Sequence, residues 1–258
     1  MKSLPATKSL QTAMVKTFWT SVVGPPWLVA LVVYAAVVIV RFVAFLSPYS
    51  LQELFFLQTL ALWALPFVVL TAEGRRQIGL MAKASSPLAV LLSVLAGVAC
   101  ALVFFGLGMV IYGNSPDNWC MSIRTYLHLD EMRGLMSAPS LFALYALPAI
   151  FLNPIGEEIL FRGFIQESFG RRFSPTVGVV VNVFLFGMAY LYLHGIWRDA
   201  AGFHLRLGSA SLAVFLMACI GSVFTLCRKM SGSLWTAMAA HAAFNLTLLG
   251  SAIHQFTR

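Results

Sequence analysis

The stretch PLAVLLSVLAGVACALVFFGLGMVIY, residues 87–112, carries no charged side chain from end to end. About 20 apolar residues cross the hydrocarbon core of a bilayer as a helix, and a water-soluble helix of that length would keep a polar face. Outward from it the same character recurs at Val22–Leu46, Leu54–Thr71, Ser140–Phe161, Thr176–Ile196, Ser209–Cys227 and Ser233–Ile253, which makes about seven spans with Pro87–Tyr112. The composition agrees: of 258 residues 60% are hydrophobic and 10% charged, at a mean hydropathy of +0.85, against roughly one quarter charged in soluble domains. The expected fold is an all-α, polytopic transmembrane helix bundle with the lipid bilayer as its solvent. An ordinary soluble globule, a collagen, a coiled coil and a disordered tail are excluded.

The formal net charge of +8 does not imply nucleic acid, because Lys and Arg fall singly or in pairs between the apolar runs and form no basic face with interleaved aromatics. They read instead as orientation signals. Assigned alternately to the two sides, eleven fall on the side of the amino terminus (Lys2, Lys8, Lys16, Arg75, Arg76, Lys83, Arg162, Arg171, Arg172, Arg228, Lys229) and five on the other (Arg124, Arg133, Arg198, Arg206, Arg258), with Arg41 inside the first span. An amino terminus in the cytoplasm follows, with the long loop Gly113–Pro139 outside. The first apolar run is too long for a signal-peptide core and lacks a small-residue cleavage site, so it is expected to be retained. Cys100, Cys120, Cys219 and Cys227 have no metal-like spacing and read as small apolar fillers.

The polar residues inside the apolar runs carry the chemistry. Glu157 and Glu158 are adjacent at the end of one run, and each charge in a membrane helix centre costs about 2.5–3.5 kcal/mol, so they should face a protein interior or a wet cavity. The bland alternative is a helix that has already left the membrane. Glu158 and Arg162, four apart, share a helix face and can pair, which leaves Glu157 free for chemistry. Two later runs hold Tyr190 with His194 and His241 with Asn245, again four apart, either interhelical glue or part of a site. Depth favours the site: Glu157 lies 15 residues before Arg172, Tyr190 15 after Pro175, and His241 and Asn245 lie 12 and 16 after Lys229. His194, one turn further out, should lean back toward the same layer.

Glu157-Glu158-x-x-x-Arg162, then Phe186-Gly with a polar residue beyond it, then His241-x-x-x-Asn245, resembles the CPBP intramembrane protease family, which includes the type II CAAX prenyl endopeptidases and bacterial Abi proteins. The strings Glu158-Ile-Leu-Phe-Arg-Gly-Phe164 and Ser231-Gly-Ser-Leu-Trp235 are also similar. The likeness covers about Pro139–Gly250. It implies an N-terminal unit, residues 1–135, of a basic segment and three variable spans, and a catalytic core, residues 136–258, with the active site buried between the later helices. It further implies that Glu157 activates water, that Glu158 and Arg162 support it, and that His241 and Asn245 stabilise the oxyanion. The family's second histidine falls at Tyr190, so either His194 takes that role, or the Tyr190 hydroxyl does, or the site is degenerate.

The residues also admit a zinc site, with Glu157, His194 and His241 as ligands and water in the fourth place; the resemblance favours no cofactor. The expected activity is intramembrane hydrolysis of a membrane-embedded protein or peptide, a leader or a carboxyl-terminal sorting or CAAX-like segment, cut near its cytoplasmic end in a bacterial inner membrane. A transporter is disfavoured by the lack of an inverted repeat. The stronger rival is a scaffold or immunity protein of the same fold without catalysis.

Overall fold

The computed structural model describes residues 14–46, 52–82, 85–199 and 202–257. Lys2, Lys8, Lys83 and Arg258, used above for orientation, lie outside the described residues. In chain order the elements are α1 (Thr17–Val22), α2 (Pro26–Leu46), α3 (Gln52–Val68), α4 (Ala72–Gln77), α5 (Pro87–Tyr112), α6 (Met121–Tyr126) and α7 (Leu129–Met132). A composite helix α8 (Ala138–Arg172) follows, then α9 (Pro175–Met188), α10 (Leu191–His194), the strands β1 (Ile196–Asp199) and β2 (Gly202–Leu205), α11 (Leu207–Ser231) and α12 (Leu234–Phe256).

Among the described residues six helices are long and apolar enough to cross a membrane: α2, α5, α8, α9 continued by α10, α11 and α12. Their outer faces stay apolar, with Leu91, Leu95, Val103 and Val110 all exposed on α5; such a surface belongs against lipid rather than water. The expected span Leu54–Thr71 is corrected, since α3 has only 17 residues, a rise of about 25 Å. It still returns the chain to the level of α1: Val15 bridges Leu70, and the Lys16 N–H donates to the Val69 carbonyl at 3.0 Å.

Two further boundaries differ from expectation. Thr176–Ile196 is not one helix: α9 stops at Met188, α10 is a single turn, and the antiparallel hairpin β1–β2 follows. Gly202 closes that hairpin at φ +126°, a conformation open to glycine. The run expected to end at Phe161 continues to Arg172 as a 35-residue helix. Arg162 does not mark a water-facing end, because its side chain is fully buried, and the Glu157–Glu158 pair therefore sits inside the helix.

The centre of the bundle is α12, whose core side packs directly on α5. A Cβ at Gly97 would lie 2.0 Å from the Ala240 carbonyl oxygen, so glycine is what allows the two backbones to meet. This contact brings His241, one residue on, to the bundle axis.

Candidate active site

The glutamates sit on a helix that is wound unevenly. Two π-helical stretches, Pro148–Leu152 and Ile159–Ile165, flank the α-helical turn Asn153–Glu158; π turns inside α-helices recur at functional sites. Pro154 has no N–H to return to the preceding turn, and side chains from other helices serve its carbonyls. Asn245 Nδ2 donates to the Ala149 oxygen at 3.1 Å, and Trp63 Nε1 to that of Leu152 at 3.1 Å. Asn245 thus already has one structural duty at the helix break.

Each glutamate has its own arginine. Glu158 Oε1 accepts from Arg162 Nη1 at 2.9 Å and from His241 Nδ1 at 2.9 Å, which confirms the i, i+4 pairing geometry. Arg162 also donates from Nη2 to the Gly221 carbonyl at 2.9 Å and lies 4.0 Å over the Phe186 ring. A Cβ at Gly221 would come within 2.9 Å of that nitrogen.

Glu157 is held differently. Its Oε1 accepts from Arg41 Nη2 at 2.5 Å, its Oε2 accepts from the Tyr190 hydroxyl at 2.6 Å, and His241 Nε2 stands 3.8 Å from Oε2. One imidazole therefore touches Glu158 with one nitrogen and faces Glu157 with the other. In the neutral tautomer that donates from Nδ1 to the Glu158 carboxylate, Nε2 carries a lone pair. That nitrogen is buried and has no hydrogen-bond partner among the described residues. Glu157, expected to be left free for chemistry by the Glu158–Arg162 pair, is 2% exposed and has an ion-pair partner of its own in Arg41.

Arg41 was not assigned a role by sequence reasoning, although it is the lone charge in the run Val22–Leu46. That solitary charge was the available signal, since an intramembrane arginine requires a partner or water. Its partner lies 116 residues away. Gln58 of α3 completes the arrangement, accepting from Arg41 Nε at 3.2 Å while its own amide donates to the Val37 carbonyl at 2.6 Å.

His194 is not directed at Glu157. Its Nδ1 lies 3.1 Å from the carbonyl of Trp119, in the loop after α5, and 3.3 Å from Ser122 Oγ of α6, and its ring stacks on Tyr190 at 6.1 Å between centroids. The helix ends at Met188 and restarts after Tyr190, which caps the new turn at φ −100°, ψ 1°. Depth counting along an unbroken helix therefore does not bring His194 back to the glutamate level. The alternative zinc set of Glu157, His194 and His241 is not assembled, and no group of three His, Cys, Asp or Glu side chains poised for a metal occurs among the described residues.

Arg41, Glu157, Tyr190, His194 and Asn245 line a cavity of about 640 Å³. It reaches His128 and Glu131 in the loop Gly113–Pro139, where the pair, 3.2 Å apart, is largely exposed. The mouth thus lies at the end of the bundle opposite Arg75, Arg76, Arg171 and Arg172. Residues 139–247 match the family model described as type II CAAX prenyl endopeptidase Rce1-like. No curated protein sequence and no solved structure matches the chain. The matched segment contains Glu157, Glu158, Arg162, Tyr190, His194, His241 and Asn245, while Arg41 and Gln58 lie outside it.

Proposed function

We propose, from the match of residues 139–247 of this integral membrane protein to the Rce1-like family model, that the chain is a metal-free endopeptidase in which Glu157 activates water against a peptide bond of a membrane-embedded substrate. The observation that carries this reading is the facing pair Glu157 Oε2 and His241 Nε2, 3.8 Å apart, with Glu157 on the cavity wall and His241 buried behind it. Two acceptors at that spacing can share one water. A water donating one hydrogen to each turns its lone pairs toward the cavity, where the scissile carbonyl binds.

Glu157 takes the proton as the water oxygen attacks, and passes it to the departing amine when the C–N bond breaks. Glu158 fixes the His241 tautomer, with Arg162 behind it. The hydrogen bond from the Tyr190 hydroxyl holds Glu157 in place, which supports Tyr190 rather than His194 in the role of the family's second histidine. Asn245 has a second amide N–H beyond the one given to Ala149, and that N–H serves the developing oxyanion. With the amino terminus in the cytoplasm, as the charge bias suggests, the cavity mouth faces the other side. The substrate, a leader or a carboxyl-terminal segment, is then cut from the side of the Gly113–Pro139 loop rather than near its cytoplasmic end. A bacterial inner membrane remains the proposed location.

A catalytically silent scaffold of the same fold is the second reading, favoured by one feature: both oxygens of Glu157 already accept hydrogen bonds. The two separate in proteoliposomes given an internally quenched peptide that ends in a prenylated Cys-aliphatic-aliphatic-X segment, with mass spectrometry of new termini in total membrane protein as a substrate-blind control. The protease reading expects turnover or new termini, and the absence of both would favour the scaffold. Within that assay Tyr190→Phe should cost about tenfold to a hundredfold, the equivalent of one charge-assisted hydrogen bond, and His194→Ala less. The reverse ranking would return His194 to the site.

A further inference from the structure

Arg41 belongs to α2, outside the segment that matches the family, yet it makes the shortest contact in the glutamate cluster, 2.5 Å to Glu157 Oε1. Glu158 already has Arg162, so the second arginine is not needed to balance that carboxylate. The way Arg41 is held is also unlike a pair made only to neutralise charge. A guanidinium that merely closes an ion pair does so best with two parallel hydrogen bonds to one carboxylate. Here the fork is divided: Nε goes to Gln58, Nη2 to Glu157, and Nη1 is buried with no hydrogen-bond partner among the described residues. The guanidinium carbon lies 5.9 Å from the Tyr190 ring centre and 6.0 Å from that of Tyr192, so two aromatic rings pack near it. Arg41 lines the same cavity as Glu157.

Resting on the protease reading, we propose that Arg41 is a positioning residue supplied by the N-terminal helix: it anchors Glu157 Oε1 so that Oε2 faces His241, and its spare Nη1 arm receives a backbone carbonyl oxygen of the bound peptide. The first role acts through Glu157 and governs kcat. The second touches substrate and governs KM. Gln58 sets the fork, linking it to the Val37 backbone.

The test measures kcat and KM of the full chain in proteoliposomes with the quenched prenylated peptide, for wild type, Arg41→Lys, Arg41→Ala and Glu157→Gln. Lysine keeps a cation for Glu157 but has no planar fork, so Arg41→Lys should keep kcat within a few-fold and raise KM about tenfold, one hydrogen bond's worth. Arg41→Ala should lower kcat about a hundredfold, as expected when a reacting group is misplaced, and added methylguanidinium should restore part of it where equal sodium chloride does not. Wild-type kcat and KM in Arg41→Ala overturns the proposal. So does a loss in both variants that follows their melting temperatures and ignores methylguanidinium, since that is the signature of a purely structural pair. An active Glu157→Gln would instead remove the protease mechanism itself, so the two failures are distinct.

Discussion

Turnover should fall on the order of a thousandfold or more when Glu157 becomes Gln, because the amide keeps the volume and the hydrogen-bond acceptor for Arg41 but cannot accept the proton of water. The loss should lie in kcat. Stability should fall as well, since the charge of Arg41, which is 4% exposed and paired at 2.5 Å, would lose its counter-charge. Removing one partner of a buried ion pair costs about 3–5 kcal/mol. The double change Arg41→Gln with Glu157→Gln removes both charges and should regain part of that stability without regaining activity. Kinetics and thermal unfolding of the single and double variants separate the chemical from the structural share. Equal turnover in Glu157→Gln and wild type would take Glu157 out of the mechanism.

Glu158→Gln should be destabilising by a similar amount. Arg162 and Glu158 are both fully buried, and Glu158 Oε1 alone accepts from Arg162 Nη1 and His241 Nδ1. Its loss leaves a cation among Phe186, Phe224 and the Gly221 carbonyl, again at a cost of about 3–5 kcal/mol. The amide oxygen that remains carries no charge and holds the Nδ1 hydrogen of His241 less strongly than the carboxylate does, so activity should fall even in the fraction that stays folded. Unfolding midpoints in detergent measure the first effect. A midpoint equal to wild type would contradict the buried pair.

The spans were legible because a bilayer demands long apolar runs, and α2, α5, α11 and α12 lie close to where those runs predict them. The Glu158–Arg162 pair was legible because it is local, one turn along one helix. The level shared by Glu157, Tyr190 and His241 was legible because α8, α9 and α12 cross the same slab and residue counts convert to depth. What was hidden depends on contacts between distant segments. Arg41 and Glu157 are joined across 116 residues, and no local pattern links them. The orientation of His194 depends on the Trp119 carbonyl in a loop of no regular pattern and on the helix break at Tyr190. The passage of α8 beyond Phe161 was hidden because Arg162 reads as a helix end until its partners are known.

The central claim, that this protein hydrolyses a peptide bond with water activated by Glu157 and no metal, is tested most directly by mass spectrometry of the prenylated peptide after incubation in H₂¹⁸O with chelator-treated proteoliposomes whose zinc content has been measured. Two fragments are expected, with one ¹⁸O in the new carboxyl group, undiminished yield after chelation and far less than one zinc per chain. Yield lost with the chelator and restored by stoichiometric zinc would contradict it.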